Sequence, residues 1–209
     1  MNSIINRKFR YTFSGASVAI IAANVIVYFV TAYLLPRLMV YLSLVPAAVI
    51  YGRMYWQFVT YMFVHAGAWH LFSNMLGLYI FGMAVEREIG TREFLLFYFL
   101  TGILSGAASF LTYVYTGSYL VMLMGASGAL YAVMLLFSVL YPRAVIFVFG
   151  VIPVKAPVLV ILYFLIELFS QMGSYGMGIA HLTHLYGLLF AFLYCLIRLR
   201  IGPWQAWGL

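Results

Sequence analysis

The sequence predicts an all-α, polytopic membrane protein: a bundle of six transmembrane helices, the fourth of them short. Three observations predict it. Of 209 residues, 67% are hydrophobic and 7% charged, against roughly 25% charged in water-soluble domains. So few charges cannot build a polar surface, and the solvent must be mostly lipid. Six apolar segments approach the about 20 helical residues that cross a bilayer core, and lipid-exposed backbone must bond to itself, which makes them helices. The basic residues, finally, fall almost wholly in alternate connections.

Residues 1–14 form a short basic N-terminus with Arg7, Lys8 and Arg10. The apolar run Ser17–Leu35 follows without a small-residue cleavage site, so it reads as a retained anchor rather than a removed signal peptide. Residues 36–69 carry Tyr51, Tyr55, Trp56 and Tyr61 and are expected to lie partly in the membrane interface, where such rings settle. The second and third segments are Leu71–Val85 and Phe94–Tyr115. Gly102 and Gly106, spaced G-x-x-x-G in the third, permit a close helix crossing.

The fourth segment, Ser127–Tyr141, spans only about 22 Å at 1.5 Å per residue. Apolar residues Tyr119 to Met124 lead into it. The chain is therefore expected to descend as non-helical backbone and to begin its helix at depth, which is tolerated only inside protein or beside a water-filled cavity. Ser127 would then sit at the bottom of an aqueous pocket. The fifth and sixth segments are Val145–Phe169 and Gly178–Arg198.

With six spans, Arg7, Lys8, Arg10, Arg87, Arg92, Arg143, Lys155, Arg198 and Arg200 share one side, and Arg37 and Arg53 take the other. That bias puts both termini in the cytoplasm. The net charge of +7 is read as loop charge facing anionic lipid, not as a nucleic-acid surface. The four acids are Glu86, Glu88, Glu93 and Glu167, with no Asp. This excludes an aspartyl dyad, a Ser-His-Asp triad and Asp-held magnesium. The single cysteine, Cys195, excludes an internal disulfide and a C-x-x-C motif and is read as packing.

Three motifs carry the chemistry. In Gly125-Ala126-Ser127-Gly128 a serine opens a helix, where free N–H groups and the helix dipole favour negative charge, as an oxyanion needs. In His70-Leu71-Phe72-Ser73-Asn74 the histidine and asparagine share one helix face, and both are costly in lipid. In His181-Leu182-Thr183-His184 two histidines stand at i, i+3. Gly187 and Ala191 continue the face of His184 as a small-residue stripe that lets the sixth helix approach the fourth, so His184 ranks first as general base and His181 second. Paired zinc ligation by the two lacks a third carboxylate or cysteine nearby in sequence, so neither metal nor cofactor is expected. Because the second, fourth and sixth helices start from the same side, parity alone puts His70, Asn74, Ser127 and His184 at similar depth.

Taken together, the set resembles the rhomboid intramembrane serine proteases in their basic six-helix bacterial form, over nearly the whole chain, 1–209, as one membrane domain. The matching patterns are His70-x-x-x-Asn74, Gly125-x-Ser127-Gly128 and His184-x-x-Gly187-x-x-x-Ala191. The resemblance implies a Ser127–His184 dyad without an acid, with the Ser127 N–H, His70 and Asn74 as oxyanion donors. It implies that Tyr131 stacks on the catalytic histidine and that Glu86 is structural. Trp56-Gln57 stands where the family commonly has Trp-Arg, and Ala191 where it usually has glycine. His65 is expected to be structural, and Glu167 has no role in the family pattern; it could bond a loop or line a gate. The implied reaction is acyl transfer on transmembrane segments of other membrane proteins, with helix 5 and the Gly173–Gly178 loop as gates. A catalytically inactive relative that binds membrane helices is the alternative, and a transporter is disfavoured because so few charges lie along the spans. The location implied is a multi-pass protein of a bacterial inner membrane.

Overall fold

The computed structural model describes residues 9–148, 150–173 and 179–208. Arg7, Lys8 and most of the expected gate loop, residues 174–178, lie outside them. Helix α1 covers Ala16–Phe29 and runs on as a π-helical turn, Val30–Leu34. Three short helices follow, α2 (Arg37–Leu42), α3 (Pro46–Gly52) and α4 (Gln57–Thr60), then a 3₁₀ turn at Tyr61–Phe63. Helices α5 (Ala68–Gly77) and α6 (Met83–Ile89) are one rod joined through the π turn Leu78–Gly82. The rest are α7 (Thr91–Tyr115), α8 (Ser127–Leu140), strands β1 (Val145–Val148) and β2 (Ile152–Lys155), α9 (Ala156–Gly173), α10 (Ile179–Tyr194), which continues to Leu199, and α11 (Pro203–Trp207).

Among the described residues, four helices are long and apolar enough to cross a membrane: Ala16–Leu34, Ala68–Ile89, Thr91–Tyr115 and His181–Leu199. Two more apolar helices, Ser127–Leu140 and Ala156–Met172, are shorter. The chain is thus a mostly helical, multi-pass membrane protein.

The expected fifth helix is corrected at its start. Val145–Phe169 is not one helix: its first part is an antiparallel hairpin pairing Val145 with Lys155 and Val148 with Ile152, and α9 begins at Ala156. Gly150, at φ +76°, allows the turn. Pro153 has no N–H for an i−4 bond, which disfavours a helix interior and suits an edge strand.

Helix α8 packs most extensively against α10, then against the α5–α6 rod and α7, and next against α9. The core around it includes Phe94, Phe97, Ala132, Val133, Leu136, Ala191 and Cys195, all fully buried. The 36–69 stretch packs Leu44, Val49, Tyr61 and Met62 into the core and is tied together by hydrogen bonds as well. Gln57, also fully buried, accepts from the Val45 N–H at 3.0 Å and donates to the Tyr41 carbonyl at 3.1 Å, while Trp56 donates its indole N–H to that same carbonyl. Gln57 thus ties the loop together at the position where the resemblance makes arginine the common residue.

Glu86 fixes the other end of the bundle. Its carboxylate accepts from the Ala16 and Ser17 N–H groups at 2.7 and 2.8 Å, from the Ser17 hydroxyl, and from Thr91 at 2.6 Å. It therefore caps α1, whose first N–H groups have no partner of their own, and joins α6 to α7. At the same end Glu93 pairs with Arg198, Tyr11 donates to the Arg87 carbonyl, and Tyr141 donates to Glu88. The segments rich in basic residues therefore meet at one end.

Candidate active site

The site is built at the opposite end, starting from the backbone before α8. Residues 116–126 are not helical, and they sink inward: Leu120 is 84% exposed, Leu123 7% and Ala126 2%. Buried peptide groups need partners, and the 36–69 stretch supplies them. Leu123 and Leu44 exchange both backbone bonds at 2.9 Å, and the Gly125 N–H donates to the Tyr61 carbonyl at 2.9 Å. Gly125 has φ +121°, which glycine alone adopts easily. Ser127 is the first residue of α8, so its N–H is one of those without an intrahelical acceptor.

The approach of α10 depends on two glycines. A Cβ on Gly187 would lie 2.1 Å from the Gly128 carbonyl oxygen, and one on Gly128 would meet Thr183 at 3.1 Å and Ser105 at 3.2 Å. Ala191 is fully buried on the same face, and Thr183 bonds Ser109 of α7 at 2.7 Å. This backbone-to-backbone crossing brings His184 to the start of α8, where its Nε2 lies 2.7 Å from Ser127 Oγ. Tyr131, one turn along α8, stacks on the imidazole with ring centroids 4.3 Å apart and planes 6° from parallel.

His70 faces the same spot from α5. Its Nε2 lies 2.8 Å from where a Cβ on Gly125 would be, and Ser127 Oγ lies 3.7 Å from that point. Its Nδ1 accepts the Ala66 N–H at 3.4 Å, which leaves Nε2 to carry the proton and act as a donor. The Asn74 amide donates to the His70 carbonyl at 2.8 Å within its own helix, so one of its two N–H groups is already engaged. His65 is fully buried against the His70 ring.

Sequence reasoning gave Glu167 no place here. Its side chain, 5% exposed on α9, meets both histidines: Oε1 lies 2.9 Å from His184 Nδ1 and Oε2 2.5 Å from His181 Nδ1. The Tyr131 hydroxyl donates to Oε1 as well. The available signal was an acid in the apolar run Ile161–Phe169. The expectation that His181 and His184 lack a third ligand is corrected, since Glu167, His181 and His184 each offer one ligand atom within 4.8 Å of the others. The spacing fits hydrogen bonding better than ligation: ligands around tetrahedral zinc stand about 3.3 Å apart at bond lengths near 2.05 Å.

A family description for the rhomboid domain matches residues 52–201, which takes in every residue of this cluster. The chain belongs to the rhomboid family. Curated relatives include RHOMBOID-like protein 12, mitochondrial, of Arabidopsis thaliana, 36% identical over 52% of this chain. Two come from Bacillus subtilis: the putative rhomboid protease YdcA, 33% identical over 44% of the chain, and the rhomboid protease GluP, 39% identical over 37%. The matched segments cover 36%, 45% and 14% of those relatives' own lengths. Within this rhomboid domain, Ser127, His184, Tyr131, Gly125, Gly128, Gly187 and His70 come together as one cluster. Asn74 lies one turn beyond His70, and His181 reaches it through Glu167.

Proposed function

We propose that this chain is an intramembrane serine endopeptidase that cleaves transmembrane segments of other membrane proteins through Ser127 and His184. The reading rests on the 2.7 Å contact between Ser127 Oγ and His184 Nε2 at the start of an apolar helix. A serine is a weak nucleophile until a base takes its proton. His184 Nε2 takes it as Oγ attacks the scissile carbonyl carbon. The oxyanion that forms is stabilised by the Ser127 N–H, by His70 Nε2–H and by the second amide N–H of Asn74. The same proton passes from Nε2 to the leaving nitrogen, the C–N bond breaks, and an acyl ester remains on Ser127. Water then attacks the ester carbon as His184 takes one of its protons; His184 passes that proton to the Ser127 oxygen as the acyl C–O bond breaks, and the new carboxylic acid leaves.

The architecture belongs to the same reading. All of α1, α5–α6, α7, α8, α9 and α10 cross the bilayer as one domain, with α8 the short central span. The 36–69 stretch lies in the interface, and the basic end faces the cytoplasm with both termini. A bacterial inner membrane is the proposed location. Substrates are single helices that unwind locally, since a closed helix hides its carbonyls, and small or helix-breaking residues favour this. Cleavage of a purified single-span substrate tests the function. Wild type should cut it, and Ser127→Ala should lose activity by several orders of magnitude. Intact, folded wild type that neither cuts nor reacts with a fluorophosphonate would favour an inactive, helix-binding relative.

A further inference from the structure

We infer that Glu167 is the positioning carboxylate of a Ser127–His184–Glu167 triad, an acid that the two-residue pattern does not include. The inference rests on the Ser127–His184 reading above and deepens it. Three contacts run in series: Ser127 Oγ to His184 Nε2 at 2.7 Å, and His184 Nδ1 to Glu167 Oε1 at 2.9 Å, with Oε1 also receiving the Tyr131 hydroxyl. For Nε2 to accept the serine proton, the neutral ring must carry its own proton on Nδ1. Glu167 Oε1 is the acceptor for that proton. The carboxylate selects the tautomer that works and fixes the ring plane that Tyr131 stacks against. When Ser127 loses its proton the ring becomes an imidazolium, and Glu167 faces the new charge from a site only 5% exposed, where Coulomb attraction is screened far less than in water. The serine proton ends on Nε2, the Nδ1 proton stays where it was, and Glu167 takes none.

The rest of the shell belongs to the same device. A carboxylate buried among apolar helices is costly unless its oxygens are occupied, and here both are: Tyr131 and His184 at Oε1, His181 at Oε2. That gives the second histidine of the pair a task other than base, since its Nδ1 is 2.5 Å from Glu167. Ser127, Glu167 and the histidines come from α8, α9 and α10 respectively, so no spacing along one segment could display the set.

A plain clamp between helices would stabilise the fold without touching the chemical step. The test is therefore steady-state cleavage by purified wild type, Ser127→Ala, Glu167→Gln and Glu167→Asp, with thermal stability measured for each. Wild type must cut and Ser127→Ala must not, or the protease reading itself fails. Given that, Glu167→Gln should keep KM within about twofold and lose about 10²- to 10⁴-fold in kcat, as loss of the acid does in serine proteases. Glu167→Asp should recover part of the loss. A folded Glu167→Gln with kcat within twofold of wild type overturns the inference. A second measurement needs no variant and no activity: ¹⁵N-histidine spectra of wild type, with the His184 signals identified by sequential assignment. They should show neutral His184 protonated at Nδ1 in a strong hydrogen bond, and a proton resting on Nε2 instead overturns the triad.

Discussion

At the scale of single residues, the proposed mechanism gives the two histidines of α10 different tasks. His184→Ala should cost about 10³-fold or more in kcat. His181→Ala should cost about tenfold, because His181 reaches Ser127 only through Glu167; cleavage rates of the two purified variants check this. Gly125→Ala should be damaging for two reasons that act together: its φ is +121°, and the new methyl would sit 2.8 Å from His70 Nε2. We expect a folded protein with a lower melting point and a strongly reduced kcat, since His70 must move away from the place proposed for the oxyanion. His65 gives a pH signature in the loop before α5. Burial, and then its neighbour His70, hold its imidazole well below the ordinary value, at about 4. Above pH 6.5 the ring is neutral whether the chain is folded or not. As pH falls from 6.5 to 4 the unfolded chain takes up a proton that the folded one refuses, so stability drops by about 3 kcal/mol and then levels off. Thermal melts of wild type across this range should show the loss, and His65→Gln should remove that share of it.

At the scale of elements, helix crossings carry the site. Gly187→Val would force α10 off α8, because even a methyl there lands 2.1 Å from the Gly128 carbonyl oxygen. Overpacking of this kind costs about 1–3 kcal/mol. Here it also opens the Ser127–His184 contact, so cleavage should fall by more than stability does; melts and rates measured on one preparation separate the two. Glu86→Ala strips the cap of α1 and takes away the acceptor of the Thr91 hydroxyl proton, and should destabilise by about 3 kcal/mol or more without altering KM. These features were legible unequally. The small-residue stripe at Gly187 and Ala191 was readable because helical spacing alone puts it on the face of His184. The hairpin at 145–155 was not, because Val145–Val148 is apolar throughout, and periodicity cannot tell a buried strand from a helix in such a run. Gly150 and Pro153 were the only local cues. Glu167 stayed unassigned because its partners lie 14 and 17 residues away on another helix, and nothing in α9 itself points to them.

At the scale of the whole molecule, polarity is sorted by end. Glu86, Glu93, Arg198 and Tyr141 tie the basic end together, while Ser127, His70, His184 and Glu167 gather at the other, with apolar side chains such as Leu100, Leu104 and Leu189 exposed between. The same charge bias was visible in sequence. The non-helical entry into α8 was readable from the shortness of the fourth segment and its apolar lead-in, but the groups that satisfy its backbone, Leu44 and Tyr61, were not, because they come from the distant 36–69 stretch. The proposal that the catalytic end faces away from the cytoplasm follows from this sorting. The central claim remains the activated hydroxyl, and it is tested most directly by fluorophosphonate labelling of the purified protein with the modified residue located by mass spectrometry. The account predicts one adduct, on Ser127, formed by wild type and by His181→Ala and abolished in His184→Ala. Labelling of Ser127 that persists undiminished in folded His184→Ala would contradict it.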